Sequence, residues 1–197
     1  MEEKKEKTEL KEAKTVWSEI FEWVDTAVLT LMVLLLLFTF VFRQVRIDGS
    51  SMDKTLHDGE RIIVSNLFYT PENGDIVVIS SEIHDNVPII KRVIATEGQW
   101  VDIKGGKVYV GETADTLKPI DEPYIDGQYT ASVISDNRYG SHQYPLQVPE
   151  NKVFLLGDNR HVSLDSRTEA IGLVDVRHIL GKAIYRVYPL DKFGSIY

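Results

Sequence analysis

The chain has 197 residues, with 22 Lys plus Arg against 30 Asp plus Glu, a net charge of -8 and no cysteine. The acidic balance argues against a nucleic-acid partner, and the missing thiols exclude thiol catalysis, thiolate metal sites and disulfides without fixing a redox compartment. The five histidines, His57, His84, His142, His161 and His178, are scattered with no metal-binding spacing and read as surface or loop residues.

Residues 2–14 mix both signs of charge with few apolar positions, the composition of a solvated, partly helical or disordered leader within a charged segment over 1–25. Thr26 to Phe42 is an uncharged apolar run predicted as a single transmembrane helix. At 1.5 Å per residue it spans about 25 Å, slightly short of a hydrocarbon core about 30 Å thick, and Trp23 and Val24 extend it. Trp17, Phe21 and Trp23 are placed to act as interfacial aromatics. The charged leader, and the lack of a small-residue cleavage site after Phe42, argue for a retained anchor rather than a removed leader. Five lysines precede the run, but Arg43 and Arg46 flank its other end more closely, so charge counting does not choose a topology.

From residue 43 to 197 the pattern becomes that of one β-rich domain. Strand-like runs occur at Val45 to Ile47, Arg61 to Val64, Asp75 to Ile79, Pro88 to Ala95, Trp100 to Ile103, Val108 to Val110, Val153 to Leu156 and Ala183 to Tyr188. Turn signals at Asp58-Gly59, Asn73-Gly74, Gly105-Gly106 and Asp126-Gly127 punctuate them, and Lys104-Gly105-Gly106-Lys107 is the clearest hairpin. Residues 112–150, with four prolines among many polar residues, read as a long loop or excursion from the β-core.

Three clusters carry candidate chemistry: Gly49 to Leu56 around Ser51-Met52, Lys91-Arg92-Val93-Ile94, and Gly157 to Arg167. Each alone also fits an ordinary role, as a turn serine, as charges on an edge strand and as a polar turn. Ser51 stands out because it lies a few residues beyond the apolar run, which ties a nucleophile candidate to a membrane surface. Lys91 stands out because Val87 to Ile90 and Val93 to Ile94 flank it with apolar residues. On a strand Lys91 and Arg92 face opposite sides. Burial disfavours an ammonium, lowers the lysine pKa and yields a neutral amine able to take a serine proton.

The three clusters, in this order and after an N-terminal span, resemble the bacterial type I signal peptidases, membrane-anchored serine proteases. The third cluster is the most specific part, fitting Gly-Asp-Asn-Arg, two residues, Ser, one residue, Asp-Ser-Arg at every fixed position. The resemblance implies a single transmembrane helix followed by a mainly β catalytic domain. It implies Ser51 as nucleophile, Lys91 as general base and Ser163 as the serine that orients the lysine amine. Asp158, Arg160, Asp165 and Arg167 would brace the site, and Met52 is the methionine beside the nucleophile. The Ser51 backbone N–H is the implied oxyanion donor. No metal or cofactor is implied.

The implied substrates are signal peptides of exported preproteins, bound extended and cut after Ala-x-Ala-like sites, with the lipid bilayer and proximity to the export translocon as further partners. The implied location is the plasma membrane, with a cytoplasmic N-terminus and an extracytoplasmic catalytic domain. Gly49 stands where some members carry a serine that assists the oxyanion hole. Lys54 replaces the usual proline, which leaves the turn after Ser51 looser, and Ala95 and Glu97 replace the usual glycine and proline after Lys91. Two alternatives remain at this level. One is a catalytically impaired, membrane-anchored binding paralogue, suggested by Lys54, Ala95 and Glu97. The other is a self-cleaving Ser-Lys regulator.

Overall fold

The computed structural model describes residues 2–83, 87–132 and 142–196. His84 and residues 133–141 of the predicted 112–150 excursion lie outside the described residues. Two compact units are present, Met1–Phe42 and Arg43–Tyr197.

In the first unit, helix α1 spans Glu2–Phe40 without interruption. It contains one stretch long and apolar enough to cross a membrane, Trp17–Thr39, with a mean hydropathy of 2.1. Thr26, Thr30 and Thr39 donate their hydroxyls to carbonyls four residues earlier, so these polar groups are satisfied inside the helix. The expected span over 26–42 is corrected at its end. The helix stops at Phe40, and Phe42 opens the first strand because sheet pairing claims it.

The second unit is mainly β. Its strands are β1 (Phe42–Arg46, which begins on the last residue of the first unit), β2 (Arg61–Ser65), β3 (Ile76–Ile79), β4 (Ile89–Ala95), β5 (Trp100–Lys104) and β6 (Lys107–Gly111). They continue with β7 (Lys118–Pro119), β8 (Leu146–Gln147), β9 (Lys152–Leu156), β10 (Val174–Asp175), β11 (Ile179–Tyr188) and β12 (Gly194–Ser195). One sheet runs β1-β2-β11-β3-β4-β9-β10, with β12 paired to β11, and a second runs β7-β6-β5-β8. The 112–150 stretch therefore supplies β7 and β8 to the second sheet, besides a 3₁₀ turn at Pro123–Ile125.

The β5–β6 hairpin turns through Gly105 and Gly106, both at positive φ (58° and 80°), as a two-residue turn matched to strand twist requires. Tight contact makes Gly106 stricter still, because a Cβ there would sit 2.2 Å from the Tyr129 ring.

Strand β4 holds the site. It lies between β3 and β9 as an interior strand, which corrects the edge-strand reading of Lys91-Arg92. Apolar residues on both sides explain its position. Ile90 joins a core with Ile62, Val64, Ile76, Val78 and Ala183, and Ile94 and Ala95 join a core that includes Val101, Val108, Phe154 and Leu156. Met52 and Leu56 bury in the first of these cores, each at most 2% exposed. Burial of such side chains contributes about 1.5–3 kcal/mol apiece, which fixes the turn that carries Ser51 to the sheet behind it.

Candidate active site

Gly49 leads into the Ser51 turn with φ +92°, a conformation natural to glycine, and its N–H is held by Asp58 Oδ1 at 2.9 Å. A serine at this position would be strained, which gives a local reason why this chain lacks the extra hydroxyl. The turn is closed by Asp53 N–H to Ser50 O (3.1 Å) and Leu56 N–H to Met52 O (2.9 Å).

Lys91 reaches this turn from β4. Its Nζ lies 2.9 Å from Ser51 Oγ and 3.1 Å from the Ile90 carbonyl, and the residue is only 3% exposed. Burial pushes the amine down from its usual range to about 8, against Asp165 and Asp158, which raise it, and together with Arg167, which lowers it. An amine in that range is partly neutral near pH 7–8, within hydrogen-bond reach of a serine hydroxyl. A hydroxyl and a partly neutral amine in this geometry can exchange a proton, the arrangement that an activated serine requires.

The Gly157 to Arg167 segment packs against both. Asn159 donates its backbone N–H to Ser51 O (3.0 Å) and its side-chain amide to Ser50 O (3.1 Å), clamping the nucleophile turn. Gly157 is required by close approach, because a Cβ there would sit 2.1 Å from Ser163 Oγ and 2.5 Å from Ser51 O. Ser163 is 1% exposed, and its hydroxyl has no hydrogen-bond partner among the described residues. The Lys91 amine donates to Ile90 O and lies against Ser51 Oγ, partners supplied by its own strand and by the turn.

The predicted braces are buried and paired. Asp158 accepts from Arg92 Nε (2.9 Å) and Nη2 (2.6 Å) and from the Thr55 hydroxyl (2.5 Å). Asp165 accepts from Arg167 Nε (2.8 Å) and Nη2 (3.0 Å) and from Gly157 N–H (3.1 Å). Arg160 donates to Gly157 O (2.9 Å) and Thr130 Oγ1 (2.7 Å) and pairs with Glu122. Buried charges in this arrangement are tolerated because each finds a partner, and breaking one pair leaves an uncompensated charge.

Five participants carry no assigned role in the sequence: Arg92, Thr55, Asn159, Gly157 and Glu122. The first four lie inside the quoted clusters, and Arg92 projects away from Lys91 as strand alternation requires, so that much was available as signal. Glu122 is distant in sequence, and only the fold brings it to Arg160.

The three departures from the resembling family also have partners. Lys54 adopts φ +91°, and its ammonium lies 3.0 Å from Asp126 Oδ2. Ala95 is fully buried opposite Phe154, and Glu97 accepts the Asn151 N–H at 2.8 Å. The turn that lacks the proline is closed by backbone hydrogen bonds, Asp53 N–H to Ser50 O and Leu56 N–H to Met52 O, while the Lys54–Asp126 pair lies exposed on its surface.

A groove of about 330 Å³ opens onto Ser51 and Lys91, walled by Val45 to Asp48 of the β1 side and Val87 to Ile90 at the entrance to β4. The walls include the end of β1 and the start of β4, and β1 is the edge of its sheet. Such a cleft suits a peptide added as a strand.

A family model described as signal peptidase, peptidase S26, matches residues 20–188. Signal peptidase I of Bacillus licheniformis is 34% identical over 179 residues, covering 89% of this chain and 92% of that protein. Signal peptidase IB of Staphylococcus aureus (strain COL) is 34% identical over 186 residues, covering 89% and 93%. A crystal structure of a signal peptidase I from Enterococcus faecalis V583 is similar with a TM-score of 0.45 at 25% identity, covering 58% of this chain and 97% of that chain.

Proposed function

The chain belongs to the signal peptidase family S26, membrane-associated serine endopeptidases that act on the signal peptides of exported preproteins, and on that premise we propose that Ser51 is its nucleophile and Lys91 its general base. The observation that carries this reading is the 2.9 Å approach of Lys91 Nζ to Ser51 Oγ, with the amine buried and its proton affinity lowered.

In acylation the neutral amine takes the Ser51 proton as Oγ attacks the scissile carbonyl, and the developing oxyanion meets the Ser51 backbone N–H. The ammonium then gives its proton to the leaving amine. In deacylation the same nitrogen draws a proton from water as it attacks the acyl-enzyme. An ammonium has three N–H donors, of which Ile90 O and Ser51 Oγ take two. We assign the third to the buried, otherwise unpartnered hydroxyl of Ser163, its orienting role. Asp158, Arg160, Asp165 and Arg167 act by holding the two reacting segments together, and Met52 by burying beside the nucleophile.

The finer substrate reading is an extended peptide along the groove, with small residues in an Ala-x-Ala-like pattern before the cut. Trp17–Thr39 serves as a span in a lipid bilayer, with the catalytic unit on the extracytoplasmic face near the export translocon. A serine-directed acylating reagent tests the chemistry. Mass spectrometry should find one adduct, on Ser51, lost when Lys91 is replaced by alanine. No adduct on Ser51 in the intact protein would favour the impaired binding paralogue.

A further inference from the structure

The segment from Glu122 to Ala131 touches the active-site framework at every other residue along much of its length. Glu122 pairs with Arg160, Asp126 accepts from Lys54 at 3.0 Å, Gln128 accepts from the Arg160 backbone N–H at 3.0 Å, and Thr130 accepts from Arg160 at 2.7 Å. Between them, Tyr124 lays its ring on the Arg92 guanidinium, with Cζ 3.9 Å from the ring centroid. Its hydroxyl donates to Glu122 Oε1 at 3.1 Å.

Arg92 serves several acceptors at once, Thr55 Oγ1 among them at 3.4 Å. One edge of its fork binds both oxygens of Asp158, and Nη1 donates to Gly74 O at 2.7 Å. Asp158 in turn accepts the hydroxyl of Thr55, four residues after Ser51. A chain of contacts therefore runs from the Ser51 turn through Thr55, Asp158 and Arg92 to the strand that bears Lys91. The planar face of the guanidinium is the part left uncovered by these bonds, and the Tyr124 ring covers it. Stacking of this kind restrains the plane of an arginine without competing for its donors.

We propose that Tyr124 is a positioning residue for the Ser51–Lys91 reaction, its ring holding Arg92 flat on Asp158 so that β4 and the nucleophile turn keep their register. This rests on the dyad reading given above. It assigns a use to the 122–131 part of the long excursion, as a brace laid over the buried charges rather than a wall of the peptide groove.

The charge consequence has a definite sign. Lys91 is faced by Asp165, Arg167 and Asp158, besides its contacts with Ser51 Oγ and Ile90 O. Freeing Arg92 leaves Asp158 less neutralised, which favours the ammonium, so fewer Lys91 amines are neutral at a given pH.

The test compares Tyr124→Phe, which keeps the ring, with Tyr124→Leu and Tyr124→Met, which remove it, in the full chain reconstituted in lipid vesicles and supplied with a preprotein. Whichever of Tyr124→Leu and Tyr124→Met accumulates folded is carried forward. For it, kcat/KM should fall about tenfold with KM changed less than about twofold, as expected when a stacking contact worth that factor is lost. The acid limb of its rate profile should move to higher pH by about half a unit. Tyr124→Phe should lie within about twofold of the parent with an unmoved limb. An unmoved limb in the ring-less variant, or equal damage in Tyr124→Phe, would overturn the proposal, because a merely structural tyrosine lowers the folded fraction without moving the limb. Ser51→Ala run alongside separates the two readings. Normal-site cleavage by it removes the dyad, whereas an inactive Ser51→Ala with an unmoved limb in the ring-less variant overturns only the role of Tyr124.

Discussion

Lys91 and Arg92 are neighbours on one interior strand and serve opposite sides of it: Lys91 Nζ lies 2.9 Å from Ser51 Oγ, while Arg92 grips Asp158 at 2.9 and 2.6 Å. One position is the proposed base and the next anchors the frame around it. Strand alternation makes this pairing possible, and the interior location of β4 makes both side chains buried, with opposite results. Arg92 finds a carboxylate and stays charged. Lys91 faces Asp165, Arg167 and Asp158 with no direct carboxylate bond among the described residues, and burial prevails over their sum.

That balance predicts the pH dependence of cleavage. The general base works only as the neutral amine, so kcat/KM should rise with pH through an apparent value of about 8 and level off above it. Steady-state cleavage of a preprotein from pH 6 to 10 measures this. A midpoint near the free lysine value of about 10.4, or no acid limb, would show that Lys91 is not buried as described or not the base.

Lys54 offers a test in which the sequence norm of the family and the geometry of this chain point in opposite directions. Proline at this position matches the family pattern, but its ring fixes φ near -65°, whereas Lys54 stands at +91°. Lys54→Pro should lower stability by about 1–3 kcal/mol and reduce cleavage, while Lys54→Gly should be near neutral, since glycine accepts positive φ and the exposed pair to Asp126 contributes little. Thermal unfolding of the two variants side by side distinguishes them. A Lys54→Pro protein more stable than the parent would contradict the left-handed turn.

Gly157 tests the packing of the third cluster against the nucleophile. A methyl group there meets Ser163 Oγ at 2.1 Å and the Ser51 carbonyl at 2.5 Å, and the latter is backbone that cannot swing aside. Gly157→Ala should destabilise by about 1–3 kcal/mol and cut kcat by more than about tenfold. Adding Ser163→Ala should not restore stability, because the contacts with Ser163 Cβ and the Ser51 carbonyl, both at 2.5 Å, remain. Full activity in Gly157→Ala would mean that the two segments do not approach this closely.

Much of this arrangement was legible in the sequence, and the exceptions share a cause. Strand-like composition and turn chemistry mark the eight longer strands and the Gly105-Gly106 hairpin, but β1 begins at Phe42 rather than Val45 and β11 at Ile179 rather than Ala183, and Ser51 and Lys91 stand out by their neighbours. The two-residue strands β7, β8, β10 and β12 are too short to show any alternation. Residues 112–150 were read as a loop because four prolines mask the pairing of Lys118–Pro119 and Leu146–Gln147 with the second sheet. Tertiary partners were equally hidden, since Glu122 is 38 residues from Arg160 and Thr55 is 103 from Asp158. Ser163 stands out only by its motif position, and nothing local in the sequence shows how closely it packs on Gly157.

The central claim is that Ser51 and Lys91 are the reacting pair, and the most direct measurement is preprotein cleavage by full-length Ser51→Ala and Lys91→Ala in vesicles, with the cut located by N-terminal sequencing. Each variant should fold as the parent does and lose at least about a thousandfold in kcat, since neither a nucleophile without its base nor a base without its nucleophile forms the acyl-enzyme. Cleavage at the normal site by either variant at a rate near that of the parent would contradict the dyad.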